Sequence, residues 1–157
     1  MPLSNLIIAV YVVRPAAGKS HDFLQLRRRE GVYMAGTWST VYGSVEPGET
    51  APMAALRELR EEAGISAAEF YRLPTARSFY TPHNDTTYVV PGFCAMVPHD
   101  VSVALNMEHT DYRWVRRDRS NGAWLWPTDR AAIDEIVNEI LPTDSPVRRF
   151  LRIDLPL

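Results

Sequence analysis

Residues 43–65 read GSVEPGETAPMAALRELREEAGI. A helix is predicted to begin just after Gly48-Glu49, because the Thr50 side chain can cap it and Pro52 is tolerated in a first turn. Gly64 is a natural stop, since glycine adopts the left-handed conformation that often ends a helix. The stretch therefore predicts a loop followed by a helix of about four turns.

Three glutamates of this helix are expected to share one face. Glu58, Glu61 and Glu62 are separated by three and four residues, and such side chains are neighbours on a helix. A solvated face with ordinary Glu and Arg pairs is one explanation. A divalent cation is the other, because Mg²⁺ prefers carboxylate oxygens and would neutralise their repulsion. The apolar strip on another side of the helix consists of Ala55, Leu59 and Ala63.

The complete spacing of the segment favours the second explanation. It follows the pattern Gly-x5-Glu-x7-Arg-Glu-U-x-Glu-Glu-x-Gly-U, where U is aliphatic. With ordinary residue frequencies, a chance match has a probability on the order of 10⁻⁸. The segment resembles the Nudix box. The matching positions are Gly43, Glu49, Arg57, Glu58, Leu59, Glu61, Glu62, Gly64 and Ile65.

The resemblance carries expectations about fold and activity. It implies a single Nudix domain over residues 1–157, built as an α/β/α sandwich around a mixed β-sheet, with the box at 43–65. Periodicity alone indicates only α/β or α+β. The resemblance also implies a hydrolase dependent on Mg²⁺, with Mn²⁺ as an alternative, in which water attacks a phosphorus atom of a phosphoanhydride.

Site roles follow by motif position. The resemblance implies that Glu58, Glu61 and Glu62 form the set of metal ligands and general base, with the base open between Glu58 and Glu61. Arg57 joins the catalytic set, because its guanidinium can orient a carboxylate through two hydrogen bonds. Glu49 is expected to support the site from a position near Arg57.

One departure from the pattern lies just before the box. Many relatives carry a second glycine before Gly43, where this sequence has Tyr42. The backbone carbonyl expected to reach the metal survives this replacement, and the Tyr42 side chain is a candidate for substrate binding. Residues 38–46 resemble the Trp-x-x-Val-x-Gly-Ser-Val-Glu form of the dihydroneopterin triphosphate and dATP pyrophosphohydrolase branch. Gly43 is assigned a supporting role.

A second similarity to this branch lies far downstream. The pattern Glu108-His109-x-x-Tyr112-x-Trp114 resembles its distal acidic loop, and residues 129–133 resemble its final helix. The resemblance implies that Glu108 is an additional metal ligand, and the alternative is a plain loop acid. His109 is expected to support the loop.

Positive charge for a triphosphate must be local, because the net charge of the chain is −2. Arg28, in a run of three arginines, aligns with the phosphate-contacting arginine of the branch, and a solvated strand end is the alternative. Aromatic candidates for stacking on a base or pterin are Phe79, Tyr80, Trp124 and Trp126.

Apolar patterning predicts the remaining elements. Strands are expected at 6–13, 23–27, 38–42, 86–90, 93–97 and 112–115, the first two as a hairpin. Pro91-Gly92 favours a bulge or an edge over a central strand. A second helix is predicted at about 128–141, capped by Thr128 and purely structural. Only a packed arm at residues 150–151 is expected in the 143–157 tail.

Composition indicates a folded domain. With 157 residues and 46% hydrophobic content, the chain can bury a core, and this composition argues against disorder. Cys94 has no partner for a disulfide and is expected to be a buried apolar residue. The apolar run 6–13 is too short for a membrane span and lacks signal-peptide features. We expect a cytoplasmic monomer or homodimer with a small-molecule partner, and no nucleic acid or membrane partner.

Three functional hypotheses follow. The first is hydrolysis of a nucleoside or pterin triphosphate to a monophosphate and pyrophosphate. The second is hydrolysis of ADP-ribose or another nucleoside diphosphate derivative, because Pro82 lies one residue beyond the proline typical of that group. The third is a non-catalytic nucleotide sensor. Such domains tend to have lost their acids, and this chain retains them.

Overall fold

The computed structural model describes residues 3–117 and 122–157. The strands are β1 (Leu3–Ser4), β2 (Ile7–Pro15), β3 (His21–Arg28), β4 (Trp38–Ser39), β5 (Val41–Ser44), β6 (Glu69–Arg72), β7 (Arg77–Thr81), β8 (Thr86–Val90), β9 (Gly92–Met96), β10 (His109–Arg116) and β11 (Arg152–Ile153). The helices are α1 (Ala51–Ala63), α2 (Pro127–Glu135) with a π-helical continuation (Ile136–Ile140), and α3 (Arg148–Leu151).

A mixed sheet forms the centre of the described part of the chain. Its order is β10-β3-β2-β9-β6-β11, with β4 beside β3 and β5 beside β2. Strands β2 and β9 are parallel, whereas β2 and β3 form the predicted antiparallel hairpin, with Val13 opposite Phe23. A smaller sheet has the order β1-β8-β7. The mixed sheet confirms the fold implied by the sequence.

Strand β2 is buried on both faces and separates two cores. Val10 and Val12 belong to the core that includes α1, while Tyr11 and Val13 belong to the core that includes α2. Successive side chains of a strand point to opposite faces, so an uninterrupted apolar strand requires cover on both sides. The two helices provide this cover, which confirms the α/β/α sandwich.

Two strand predictions need correction. The expected strand 38–42 is divided at Thr40, whose hydroxyl donates to the Val10 carbonyl, so that β4 pairs with β3 and β5 pairs with β2. The prediction of an edge strand or a bulge at Pro91-Gly92 is wrong for β9, the strand that follows Pro91. Strand β9 is central, between β2 and β6, and Pro91 marks the passage of the chain from the smaller sheet into the larger one.

The second helix begins earlier than predicted. Thr128 does not cap it, because Pro127 occupies the first turn and Trp126 is the N-cap residue. The fixed φ of proline suits this first position, and the proline needs no hydrogen bond there. Beyond Glu135 the helix continues in π-helical form to Ile140, so its predicted extent is close to the observed one.

The tail is more ordered than the sequence indicated. Leu151 is buried, as expected for a packed arm, but Phe150 is exposed. Strand β11 pairs with β6, and neither strand was predicted. Cys94 is buried, and burial raises the pKa of its thiol, which confirms its apolar role. Among the described residues, no helix has the length and apolar character to cross a membrane.

Candidate active site

Helix α1 is anchored as the sequence predicted. The Thr50 hydroxyl accepts a hydrogen bond from the Met53 amide, and Gly64 ends the helix with φ of +66°. The apolar strip is confirmed, since Ala55, Leu59 and Ala63 are buried. A fully buried leucine stabilises a fold by roughly 2 kcal/mol, so this strip fixes which helix face meets the sheet.

The three helical glutamates differ in their surroundings. Glu62 is buried, with 3% of its surface exposed. The Glu58 carboxyl is largely covered, with 13% of its side chain exposed, whereas Glu61 has 55% exposed at the rim. The helix thus carries an inner pair of carboxyls, from Glu58 and Glu62, and one outer carboxyl.

Gly43 lets the backbone of β5 lie directly against Glu58. A Cβ atom at Gly43 would lie 2.1 Å from the carboxyl carbon of Glu58, far below any normal contact. Glycine is therefore required by close approach at this position. The supporting role of Gly43 remains a prediction, and this contact gives it a physical basis.

Arg57 connects the acids of the box. Its Nε and Nη2 donate to the two carboxylate oxygens of Glu49, at 2.7 and 3.0 Å. Its Nη1 donates to Glu58 at 2.9 Å and to Glu61 at 3.2 Å, and Nη2 also donates to the Ser44 carbonyl. Such paired, charged hydrogen bonds fix carboxylate orientation. Arg57 therefore holds inner and outer acids in one network.

Glu49 is predicted to act through Arg57. The Glu49→Gln variant removes the charge from the paired contact, and we expect about a tenfold lower hydrolysis rate, the scale of losses at residues that orient ligands. The matched control is Glu46→Gln, because Glu46 is exposed and its carboxylate lies 3.9 Å from Arg57. Steady-state rates that fall equally in both variants would contradict this role.

A second group of donors faces Glu62 from the distal segment. Ligand atoms of Glu62, Glu108 and His109 lie within 4.8 Å of one another. His109 also contacts Asn106 through Nδ1 at 3.2 Å, in keeping with the expected support of the loop. The sequence did not place its ring beside the acids. The structure thus adds an imidazole to the predicted cluster.

The residues present fit a divalent cation. The Oε2 atom of Glu62 is buried and has no hydrogen-bond partner among residues 3–117 and 122–157. A buried carboxylate oxygen left unpaired is costly, and a metal ion is one of the few partners that satisfies it. Carboxylate oxygens are the ordinary ligands of Mg²⁺ and Mn²⁺, whereas the neutral imidazole is a nitrogen donor that suits transition metals better than Mg²⁺.

The electrostatics of the cluster support this fit. Burial, followed by the charges of Glu58 and Glu108, raises the pKa of Glu62 to about 9, against the opposing effects of Arg28 and the Tyr42 backbone. Burial also raises the pKa of Glu58, although Arg57 opposes the shift. The pKa of His109 is lowered by burial and then by Arg28, so its ring is neutral at pH 7.

Arg28 lies close enough to act on this cluster. Its charge lowers the pKa of both Glu62 and His109. Its Nε donates to the Tyr33 carbonyl at 2.5 Å, which fixes the side chain at the start of the loop after β3. The neighbouring Arg27 instead pairs with Asp111, at 3.7 Å.

The aromatic residues predicted as candidates for stacking on a substrate differ in their burial. Trp124 is buried in the core that includes α2, so it is not available for stacking on a substrate. Phe79, Tyr80 and Trp126 are exposed, and Phe79 stacks on Tyr88 with ring centroids 5.2 Å apart.

Tyr42 has a partner that the sequence did not reveal. Its hydroxyl donates to Asp129 of α2, on the sheet face opposite α1. A cavity of about 30 Å³ lies beside Tyr42, Arg77 and Phe79, which is room for about one water molecule and too little for a base. Substrate binding by the Tyr42 side chain stays a prediction.

The structure places buried carboxyls on a helix that packs against a mixed sheet, and carboxylate oxygens are the ligands of cations that also bind phosphate groups. Comparisons with known proteins agree. The family model described as NUDIX domain matches residues 5–136. The chain is 32% identical over 146 residues to the dihydroneopterin triphosphate diphosphatase of Escherichia coli K12, covering 85% of this chain and 91% of that protein.

Two further similarities extend the comparison. The asymmetrical bis(5'-nucleosyl)-tetraphosphatase of Sus scrofa is 34% identical over 101 residues, covering 63% of this chain and 67% of that protein. The structure of the E. coli dihydroneopterin triphosphate pyrophosphohydrolase is 28% identical, has a TM-score of 0.67, and covers 83% of this chain and 94% of its own. The chain belongs to the Nudix family and is a pyrophosphohydrolase of that family's type, acting on phosphoanhydride bonds.

Proposed function

We propose that the protein hydrolyses a nucleoside triphosphate or pterin triphosphate to a monophosphate and pyrophosphate in a Mg²⁺-dependent reaction. The observation that carries the metal dependence is the unpartnered Oε2 of Glu62, buried among carboxyls. The similarity to dihydroneopterin triphosphate diphosphatase over 85% of the chain supports the substrate class.

We assign the cation to Glu62, Glu58 and Glu108, with the His109 ring and Glu61 as further donors. Glu62 has the unpartnered oxygen, and the charges of Glu58 and Glu108 both act on it. A bound Mg²⁺ or Mn²⁺ would neutralise phosphate charge and acidify a water molecule. Arg28 provides a positive charge that acts on Glu62 and His109, and we assign it to the substrate phosphates.

The protein's own residues orient the reacting groups. Arg57 holds both candidates for the general base, because the same Nη1 atom donates to Glu58 and Glu61. Glu58 is largely covered and Glu61 is exposed, so the pair offers one carboxyl beside the inner cluster and one at the solvent side. A general base works when its carboxylate is fixed toward the attacking water, which the Arg57 network supplies.

Turnover of a substrate panel tests this function. The panel contains dNTPs, dihydroneopterin triphosphate, ADP-ribose and a dinucleoside tetraphosphate, each with Mg²⁺ and with products resolved. We expect the highest kcat/KM for a triphosphate. Preference for the dinucleoside tetraphosphate would follow the similarity to the Sus scrofa enzyme. Preference for ADP-ribose would support the alternative reading, and no turnover at all would support a nucleotide sensor.

Glu108 is predicted to tune metal binding. For Glu108→Gln we expect about a tenfold loss of rate and a higher half-saturating Mg²⁺ concentration, because one charged donor is removed while Glu58 and Glu62 remain. The control is Asp111→Asn, a nearby exposed acid that pairs with Arg27. A Mg²⁺ titration of Glu108→Gln that matches the control would reduce Glu108 to a loop acid.

A further inference from the structure

Asp129 lies buried at the first turn of α2, on the far side of the sheet from the acidic cluster. Its Oδ1 accepts the hydroxyl of Tyr11 at 2.6 Å and also that of Tyr42. Burial raises its pKa, and both hydroxyl hydrogen bonds oppose that shift. Two hydroxyl donors that converge on one buried oxygen hold the two tyrosines and Asp129 in fixed positions, because a buried hydroxyl or carboxylate left without a hydrogen bond is costly.

Tyr42 links this contact to the site on the other face. Its side chain packs with the core that includes α2, while its backbone lies near enough to Glu62 of α1 to lower the pKa of that carboxyl. The next residue, Gly43, is in contact with the Glu58 carboxyl. The Tyr42 backbone therefore lies beside two proposed metal ligands on one side of the sheet, while its side chain is held by Asp129 on the opposite side.

Strand β5 is short, so this anchor matters for its position. Its four residues pair only with β2 in the described part of the chain, from Ile7 opposite Ser44 to Val10 opposite Val41. The Asp129 contact ties the middle of the strand to α2. Residues that orient a metal ligand without binding the metal themselves commonly change the metal affinity of the site.

We propose that Asp129 is a positioning residue that sets the metal affinity of the site across the sheet, by holding Tyr42 and with it the backbone beside Glu62 and Glu58. This inference rests on the proposed function, since it assumes the metal site. It assigns to α2, which the sequence indicated to be purely structural, an effect on that site.

Tyr11 offers a matched control. It donates to the same Asp129 oxygen, but it lies on β2 opposite Cys94 of β9, inside the sheet, whereas Tyr42 lies next to Gly43 on β5. Removing either tyrosine hydroxyl leaves Asp129 with one donor. Only the Tyr42 change releases the strand that borders Glu62.

Direct Mn²⁺ binding to substrate-free protein, followed by electron paramagnetic resonance, tests the proposal for Tyr42→Phe and Tyr11→Phe. We expect Tyr42→Phe to weaken Mn²⁺ binding roughly tenfold, whereas Tyr11→Phe stays within about twofold of the wild type at a similar loss of thermal stability. Asp129→Asn keeps an acceptor oxygen and is expected to bind Mn²⁺ more tightly than Asp129→Ala.

Two results would overturn the proposal while leaving the metal site in place. One is wild-type Mn²⁺ affinity in Tyr42→Phe, and the other is an equal loss in Tyr42→Phe and Tyr11→Phe, which would indicate a general effect on packing. Wild-type protein that binds no Mn²⁺ would refute the metal site itself and the positioning role with it. The failure of the inference and that of the proposed function are thus distinguishable.

Discussion

The Glu62→Gln variant is expected to lose hydrolysis by about a thousandfold and yet to fold more stably than the wild type in the absence of metal. Glutamine keeps the volume of the side chain and removes the charge that the proposed cation requires. A loss of this size matches removal of a group that stabilises transition-state charge. In the absence of metal, the Glu62 carboxyl lowers the stability of the folded protein, because it is buried beside other carboxyls.

The pH dependence of this stability follows from the pKa of Glu62. The pKa is about 9 in the folded protein, raised from an ordinary value of 4.5, so folding requires Glu62 to take up a proton between these pH values. The free-energy cost grows with pH over this window and is constant above it. Since glutamine does not ionise, its advantage should be small at pH 4.5 and about 3 kcal/mol at pH 7, because one pKa unit corresponds to about 1.4 kcal/mol.

Urea unfolding of chelator-treated protein at pH 5 and pH 8 measures this difference, and steady-state hydrolysis measures the rate. The control is Glu30→Gln, which removes an exposed acid. Hydrolysis by Glu62→Gln within tenfold of the wild type would contradict the metal assignment. A variant less stable than the wild type at both pH values would contradict the account of the buried charge.

The Gly43→Ala variant is expected to lower the rate by more than about a hundredfold, since misplacement of a reacting group by about 1 Å costs that much. The new Cβ would lie 2.1 Å from the carboxyl carbon of Glu58, so that carboxyl must move. Arg57 holds the same carboxyl at 2.9 Å, and its displacement would disturb the network. The fold should survive, because Glu58 can rotate.

Gly122→Ala is the matched control for this change. Neither glycine has a positive φ, and a Cβ at Gly122 would meet no atom of the part of the chain that the structure describes within 4 Å. Circular dichroism and thermal melting of both variants check the fold, while kcat and KM locate the loss. A wild-type kcat in Gly43→Ala would show that the position of Glu58 does not matter for hydrolysis.

The features predicted well from the sequence depend on short-range chemistry. Thr50 and Gly64 delimit α1 through contacts within one turn, and the buried strip on α1 follows from helical period. The Glu49 and Arg57 pair joins residues separated by less than ten positions, within a segment of fixed spacing. Such features are visible because the helix itself brings the residues together.

The features missed depend on how distant segments pack. Glu61 and Glu62 are adjacent in the sequence, but only the position of the sheet decides that Glu62 is buried and Glu61 exposed. The contact of Tyr42 with Asp129 spans 87 residues, and His109 reaches Glu62 from the first position of β10. No local pattern encodes such distances, and the central place of β9 was missed for the same reason.

The central claim is that the acidic cluster around Glu62 supports Mg²⁺-dependent cleavage of a triphosphate. Phosphorus NMR of the products formed from dATP and from dihydroneopterin triphosphate tests it most directly, with Mg²⁺ and with excess chelator. We expect a monophosphate and pyrophosphate with Mg²⁺ from at least one of the two, and no products with chelator. Orthophosphate with a diphosphate, or the same turnover with chelator, would contradict the claim.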